Sequence, residues 1–243
     1  MIDDPILLFC IPFAGGSSYS YRELEKYTAD FIEMVPVELP GRGRRFSEPL
    51  ITDIHELARD VGGGIRDRLH RPYALYGHSM GGCIAYLLAR RLAQEGMPLP
   101  LHLFVSGREG PSAKLKRPNR HLLPREEFVE ELKRFEGTPR QVLENEELMT
   151  LFEPILRADF QANDTYVHEP GPPLDVPVTV MIGLDDNTTD EEALKWREET
   201  LHEISLLRFP GGHFFIFDHS PQMGRIFSRR LQPLRGEGKP VPW

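Results

Sequence analysis

The sequence has few cysteines and no long apolar segment. Cys10 and Cys83 are its two cysteines in 243 residues, and they do not form a C-x-x-C pair. Isolated cysteines in apolar stretches are typical of buried thiols, so we expect no disulfide. No run of about 18 apolar residues is present, which argues against a transmembrane helix. Because residues 1–5 also lack the basic start and apolar stretch of a signal peptide, we expect a cytoplasmic protein with no membrane partner.

Signatures of metal and phosphate sites are missing as well. The sequence contains no H-E-x-x-H motif, no cysteine cluster and no phosphate-binding loop, so we expect no metal and no cofactor. The net charge of −8 argues against nucleic acid as a partner. Hydrophobic residues make up 40% of the chain, which is enough for a substantial core in one large α/β domain or two small ones.

Short apolar runs alternate with helical patterns along most of the chain. The predicted strands are residues 6–11, 32–39, 73–76, 101–106, 178–182 and 204–209, and the predicted helices include residues 53–69, 83–93, 191–200 and 221–231. Asp53 is a plausible N-cap for the first of these helices, and Pro36 suggests an edge or irregular position for the second strand. Nearly continuous apolar strands separated by helices indicate an α/β fold whose parallel sheet is covered on both faces.

One segment interrupts this alternation. Residues 108–173 contain no convincing strand, whereas residues 124–135 predict an amphipathic helix and residues 148–160 predict one or two more. We therefore predict an α/β core formed by residues 1–107 and 174–243, with a helical insertion at residues 108–173. In a hydrolase of this architecture, such an insertion forms a lid over the active site. A helical pack without a gating role is the alternative.

The most informative motif is Gly77-His78-Ser79-Met80-Gly81, which has the form G-x-S-x-G. It follows a predicted strand and precedes a predicted helix, the context that a nucleophile elbow requires. The sharp turn strains the serine backbone and demands small neighbours, which the two glycines supply. Ser79 is therefore the candidate nucleophile, and a chance match in a loop is the less favoured interpretation.

A serine nucleophile needs a base and an acid, which follow it in the order Ser, Asp or Glu, His in α/β-hydrolases. His213 fits the base because it follows a glycine pair directly after a predicted strand; His219 is the nearest alternative. The acid should follow the preceding strand, where Asp185 and Asp186 stand side by side. The residues alone do not separate these two aspartates.

An oxyanion hole needs two backbone N–H donors. One should be that of Met80, directly after the nucleophile, and the other should come from the loop after the first strand. In that loop, residues 12–18, we choose the N–H of Ala14, with that of Phe13 as the second choice. The glycines beside them, Gly15 and Gly16, allow the backbone to approach a ligand closely.

Four motifs in this order resemble the type II thioesterases of nonribosomal peptide and polyketide synthesis. They are Pro12-Phe13-Ala14-Gly15-Gly16, Leu39-Pro40-Gly41-Arg42-Gly43, Gly77-His78-Ser79-Met80-Gly81-Gly82 and Gly211-Gly212-His213-Phe214. The insertion is similar too, in residues 123–124, 137–139 and 156–160. The resemblance implies an α/β-hydrolase fold with Ser79 as nucleophile and His213 as base. It also favours Asp186 as the acid, because the family's acid lies in a Gly-x-x-Asp pattern.

The resemblance further implies a stand-alone editing enzyme that acts on carrier proteins. Its substrates would be acyl or aminoacyl thioesters on the phosphopantetheine arms of acyl or peptidyl carrier proteins, and its role would be to remove stalled or mis-primed groups. We expect such an enzyme to be a monomer. A carboxylesterase or acyl-chain-releasing thioesterase on the same fold is the first alternative, and a non-catalytic binding module is the second.

Two groups of basic residues have roles that the sequence leaves open. Lys114, Lys116, Arg117 and Arg120 form a basic stretch on an acidic protein, which is either a docking site for an acidic carrier protein or a solvated loop. Arg42 and Arg44 belong to a glycine-rich turn after a strand. Either one of them helps to shape the site or the turn is purely structural.

Overall fold

The computed structural model describes residues 4–135, 137–138 and 140–235. Within them, six strands form one sheet in the order β2-β1-β3-β4-β5-β6, and every neighbouring pair is parallel. The strands are β1 (Ile6–Ile11), β2 (Ile32–Pro36), β3 (Tyr73–His78), β4 (Leu103–Ser106), β5 (Val178–Gly183) and β6 (Ser205–Phe209). The predicted parallel sheet is confirmed.

Helices connect the strands and follow the last of them. They are α1 (Arg22–Glu25), α2 (Ile54–Ile65), α3 (Met80–Gln94), α4 (Arg125–Phe135), α5 (Arg140–Leu143), α6 (Glu146–Asp164), α7 (Asp190–Leu194), α8 (Phe215–Asp218) and α9 (Ser220–Leu231). As predicted, Asp53 caps α2, by accepting a hydrogen bond from the N–H of Glu56 at 2.9 Å. Short 3-10 helices extend α2 and α7, so the predicted helices at 53–69 and 191–200 each end as a tighter turn.

Both faces of the sheet are buried, because side chains alternate between them along each strand. In β1, Leu7, Phe9 and Ile11 point to the face covered by α2, α3 and α7. Ile6, Leu8 and Cys10 point to the opposite face, which α1, α8 and α9 cover. This alternation explains why β1 is apolar throughout.

The predicted strand at residues 32–39 is shorter in the structure. It is an edge strand that ends at Pro36, although the N–H of Val37 still donates to the carbonyl oxygen of Cys10 at 3.0 Å. Proline cannot donate to a ladder, so it is tolerated where the pairing ends. The chain then turns through Gly41, whose φ is +79°.

The insertion at residues 108–173 contains α4, α5, α6 and a 3-10 helix, Arg120–Leu122, and no strand among its described residues. The stretch 148–160, predicted as one or two helices, lies within the single helix α6, which contains Pro154. The insertion has a small apolar core of its own, formed by Phe128, Leu132, Met149, Leu156 and Phe160. Its function as a lid stays a prediction, as does the division of the chain at 107 and 174; Glu136, Pro139 and residues 1–3 and 236–243 lie outside the described residues.

Cys10 and Cys83 are both buried free thiols, as expected. Burial raises the pKa of the Cys83 thiol to about 11, which keeps it protonated at neutral pH. None of the described helices is both long and apolar enough to cross a bilayer.

Candidate active site

Ser79 lies at the sharp turn between β3 and α3. Its backbone has φ 53° and ψ −119°, a strained conformation for a residue with a side chain. The serine N–H donates to the carbonyl oxygen of Ser106 at the end of β4, at 2.7 Å, and its own carbonyl accepts from the N–H of Gly82 at 3.0 Å. These bonds hold the turn in place, so its strained geometry is built into the sheet.

The two motif glycines allow the turn to pack tightly. A Cβ on Gly77 would lie 2.1 Å from the backbone of Gly81, and a Cβ on Gly81 would lie 2.2 Å from the carbonyl oxygen of Ile11. Real Cβ atoms do not approach backbone so closely, so no side chain fits at either position. The structure therefore has the nucleophile elbow geometry that the motif predicts.

His213 and Asp186 are brought together by two loops that follow neighbouring strands. Nδ1 of His213 lies 3.0 Å and 3.1 Å from the two carboxylate oxygens of Asp186. Burial opposes ionisation of Asp186, but the hydrogen bond and the charge of His213, helped by the N–H of Asn187, outweigh it and hold the pKa of Asp186 below its usual value. An ionised, nearly buried carboxylate is therefore placed to orient the imidazole.

The alternative acid and base lie elsewhere. Asp185 is exposed, and its N–H donates to the carbonyl oxygen of Gly211 at 3.0 Å. Nε2 of His219 lies 2.9 Å from the carbonyl oxygen of Pro210, at the start of α9. Of the candidate acids and bases, Asp186 and His213 are the two that form a hydrogen bond with each other.

Ser79, Asp186 and His213 all line one cavity of about 420 Å³. A second, small cavity of about 40 Å³ adjoins it and is lined by Phe13, Ala14, Ser79, Met80 and His213, among others. The residues chosen for the oxyanion hole therefore surround one space beside the serine. A larger groove of about 1030 Å³ runs along α4 and lacks both Ser79 and His213, so it is not the candidate site.

His78 is fully buried behind His213. The two ring centroids are 4.9 Å apart, and Nδ1 of His78 lies 2.9 Å from the hydroxyl of Ser106. Burial, reinforced by the neighbouring His213, lowers the pKa of His78 well below its usual value. His78 is therefore a neutral packing residue.

The insertion supplies cavity residues that the sequence did not single out. Arg108 and Asn163 line the cavity of about 420 Å³ that contains Ser79. Nη1 of Arg108 donates a hydrogen bond to Oδ1 of Asn163 at 2.6 Å. The ring of Phe135, at the end of α4, forms a T-shaped contact with the ring of His213, with centroids 5.4 Å apart. No motif could have revealed these residues, because their role depends on how the insertion folds over the sheet.

The basic stretch of the insertion divides into exposed and buried residues. Lys114, Lys116 and Arg117 are exposed, and the last two form ion pairs with Glu192 at 2.7 Å and Glu131 at 2.8 Å. Arg120 is different: it is buried and bound to Asp164, with its guanidinium between the rings of Phe135 and Phe160. Arg120 is therefore excluded from a surface for docking, whereas the other three remain available.

Arg42 and Arg44 also differ. Arg44 is exposed, whereas Arg42 is buried and reaches the loop after β1, where it donates to the carbonyl oxygen of Gly16 at 3.3 Å. Of these two arginines, Arg42 is therefore the one that contacts the loop carrying the candidate oxyanion donor Ala14.

Among the described residues, no group of three or more histidine, cysteine or acidic side chains is arranged to hold a metal ion.

Comparison with known proteins identifies the family of this chain. The family model described as a thioesterase domain matches residues 7–231. The gramicidin S biosynthesis protein GrsT of Aneurinibacillus migulanus is 37% identical over 226 residues, which cover 93% of this chain and 88% of that protein.

Solved structures of known proteins are similar to this chain as well. The type II thioesterase BorB from the borrelidin biosynthetic cluster is 38% identical, with a TM-score of 0.86 and 94% of each chain covered. ClbQ from the colibactin NRPS/PKS pathway is 31% identical, with a TM-score of 0.89 and coverage of 95% of this chain and 98% of its own. The chain therefore belongs to the thioesterase-domain family and has its α/β-hydrolase fold.

Proposed function

We propose that this protein is a serine thioesterase that hydrolyses acyl or aminoacyl groups from the phosphopantetheine arms of carrier proteins. One observation carries the proposal. Ser79, in a strained elbow, lines the same cavity as His213, and Nδ1 of His213 is bound to Asp186. A hydroxyl becomes a useful nucleophile when such a base accepts its proton.

In the acylation step, Nε2 of His213 takes the proton of Ser79 while the serine oxygen attacks the thioester carbon. The resulting oxyanion accepts hydrogen bonds from the N–H groups of Met80 and Ala14, which border the small cavity beside the serine. Collapse of the intermediate breaks the carbon–sulfur bond and leaves an acyl-serine. The departing sulfur takes the proton from His213, and Asp186 stabilises the imidazolium throughout.

In the deacylation step, His213 takes a proton from water, and the resulting hydroxide attacks the acyl-serine carbon. The same two N–H groups stabilise the second oxyanion. Collapse returns the proton to Ser79 and releases the free acid. Nucleophile, base and oxyanion donors all come from this chain, so the proposed reaction uses no cofactor.

The identity of the substrate rests on the relatives. GrsT is a gramicidin S biosynthesis protein, BorB is a type II thioesterase of the borrelidin biosynthetic cluster, and ClbQ belongs to the colibactin NRPS/PKS pathway. These relatives support a role in which the enzyme clears stalled or mis-primed groups from a carrier. The cavity of about 420 Å³ is large enough for the end of a pantetheine arm with its acyl group.

The test compares acylated carrier proteins, acyl-pantetheines and p-nitrophenyl esters as substrates. We expect kcat/KM to be higher for the carrier thioesters than for the esters, and we expect Ser79→Ala to reduce turnover of every substrate by at least ~10³-fold. Faster hydrolysis of the esters would instead identify a carboxylesterase. No hydrolysis of any substrate would favour a binding module.

A further inference from the structure

Two motifs without an assigned role meet in a buried ion pair beside the candidate oxyanion hole. Arg42 belongs to the glycine-rich turn after β2, and Asp159 belongs to α6 in the insertion. Nη1 and Nη2 of Arg42 lie 2.6 Å and 2.7 Å from the two carboxylate oxygens of Asp159. Both side chains are almost fully buried, at 6% and 0% exposure.

The same carboxylate holds the loop after β1. Oδ2 of Asp159 accepts the N–H of Gly15 at 2.7 Å, and Gly15 lies directly after Ala14. Arg42 binds the same loop by donating to the carbonyl oxygen of Gly16 at 3.3 Å. We call residues 12–18 the oxyanion loop. The ion pair therefore binds both an N–H group and a carbonyl of that loop.

The local turn explains why this contact matters for Ala14. The N–H of Gly16 donates to the carbonyl oxygen of Phe13 at 2.8 Å, and Gly15 has a φ of +76°. A positive φ at the third position is typical of a type II turn, in which Ala14 is the second residue and its N–H is not used within the turn. The hydrogen bond to Asp159 fixes the peptide between Ala14 and Gly15, and thereby the direction of the neighbouring N–H of Ala14.

Packing brings α6 against the loop as well. A Cβ on Gly15 would lie 2.5 Å from Cδ2 of Leu156, one turn of α6 before Asp159. The loop thus rests on α6 through an apolar contact and a charged hydrogen bond. Charge-assisted hydrogen bonds are stronger and more directional than neutral ones, so the acidic residue sets the orientation of the loop.

We infer that Arg42 and Asp159 are positioning residues that orient the Ala14 N–H for the oxyanion. The inference rests on the proposed function and adds to it a requirement that the insertion be docked through α6 for the oxyanion hole to be complete. Neither side chain lines the cavities that contain Ser79, so neither acts on the substrate directly.

The first variant is Asp159→Asn, which keeps the shape of the side chain. Oδ1 of the asparagine can still accept from Gly15 and from Nη1 of Arg42, but its NH₂ group cannot accept from Nη2, and the negative charge that strengthens the bond from the Gly15 N–H is gone. We expect kcat on a short acyl-pantetheine to fall by about 10- to 100-fold, less than the loss of a whole oxyanion donor, while KM changes less than threefold. Affinity for a trifluoromethyl ketone, which forms an oxyanion on Ser79, should fall in parallel, but affinity for a non-cleavable thioether should not.

The second variant separates positioning from stability. Arg42→Met combined with Asp159→Leu replaces the buried charges by apolar side chains, a change that is often neutral or stabilising. We expect its melting temperature to recover relative to Asp159→Asn, whereas kcat stays low because the Gly15 N–H has lost its acceptor. Glu199→Gln is the matched control, since Glu199 is a buried carboxylate bound to Tyr86 away from the site; it should lower the melting temperature and leave kcat unchanged.

Two results would overturn the inference. One is a kcat and a ketone-to-thioether affinity ratio that stay at the wild-type level in Asp159→Asn. The other is recovery of both stability and kcat in the double variant, because the pair would then be purely structural. Failure of the proposed function is distinguishable from either, since the wild-type protein itself would then show no turnover that depends on Ser79.

Discussion

At the level of single residues, the choice of acid depends on the direction of two neighbouring aspartates. Both follow β5, so sequence position assigns them equal reach. The structure turns Asp186 toward His213 and leaves Asp185 exposed, with its N–H bound to Gly211. Spacing alone cannot give this result, because one residue in a loop is enough to reverse the direction of a side chain.

We predict that Asp186→Asn lowers kcat by about 10² to 10⁴-fold, because the amide neither stabilises an imidazolium nor enforces the same tautomer of His213. Asp185→Asn is the matched control and should keep kcat within about twofold. Steady-state kinetics on an acyl-pantetheine at neutral pH measures both. Equal losses in the two variants would contradict the assignment.

The nucleophile was the easier residue to find. G-x-S-x-G between a strand and a helix predicts Ser79 together with its local geometry, and the structure has that elbow. The contact between Arg42 and Asp159 could not be found in this way, although both residues lie in motifs. Their meeting joins positions 117 apart along the chain, and only the folded insertion brings them together.

At the level of secondary-structure elements, the sequence predicts whether a segment is a helix or a strand better than it predicts where that segment ends. The six strands and the main core helices follow from apolar periodicity, because burial on one face or both demands it. β2 ends early at Pro36, where the ring nitrogen cannot donate to the ladder, whereas α6 continues through Pro154 against the low helix propensity of proline. The contacts of the insertion with the site depend on how it folds over the sheet and were not predictable from its helical pattern.

Glycines in two helices should respond oppositely to alanine. In Gly81→Ala, the new Cβ would meet the carbonyl oxygen of Ile11 at 2.2 Å, so α3 would have to move away from β1; we expect loss of soluble protein or a loss of stability above ~3 kcal/mol. In Gly63→Ala, on the exposed side of α2, the Cβ meets nothing within 4 Å, and we expect stabilisation by about 0.5–1 kcal/mol. Urea unfolding followed by circular dichroism checks both. A tolerated Gly81→Ala would contradict the close packing of the elbow.

At the level of the whole molecule, buried histidines make stability depend on pH. His102 is nearly buried, with Nε2 2.9 Å from the hydroxyl of Thr179. Burial, reinforced by Arg230 and His202, lowers the pKa of His102 from 6.5 to about 3. Between pH 3 and pH 6.5, His102 is therefore protonated in the unfolded chain but neutral in the folded chain. As a result, the free energy of unfolding decreases as the pH falls below about 6.5.

His102→Gln should remove this part of the acid sensitivity. Between pH 6 and pH 4, the free energy of unfolding of the wild type should fall relative to that of the variant by about 1 kcal/mol per pH unit. Urea titrations at several pH values give this difference directly. Parallel curves for the two proteins over that range would contradict a neutral His102 in the folded state.

Carrier docking would depend on the charged rim of the cavity. Lys114→Glu with Arg117→Glu reverses two exposed charges and spares Lys116, whose charge helps to lower the pKa of Asp186. If the rim binds an acidic carrier protein, KM for acyl-carriers should rise about tenfold or more at low salt, while KM for acyl-pantetheine stays unchanged.

The matched control for docking reverses two exposed charges beyond the cavity, Arg59→Glu with Arg66→Glu. It carries the same change in net charge and should leave both KM values unchanged. Equal effects of the two double variants on the acyl-carriers would mean that net charge, and not this rim, governs the encounter.

We propose that His213, oriented by Asp186, activates the hydroxyl of Ser79. The most direct measurement is the rate and site of labelling by a fluorophosphonate, mapped by peptide mass spectrometry in the wild type and in His213→Ala. We expect one label per chain, on Ser79, and loss of nearly all labelling in the variant. A label on another residue, or an equal rate of labelling in His213→Ala, would contradict this proposal.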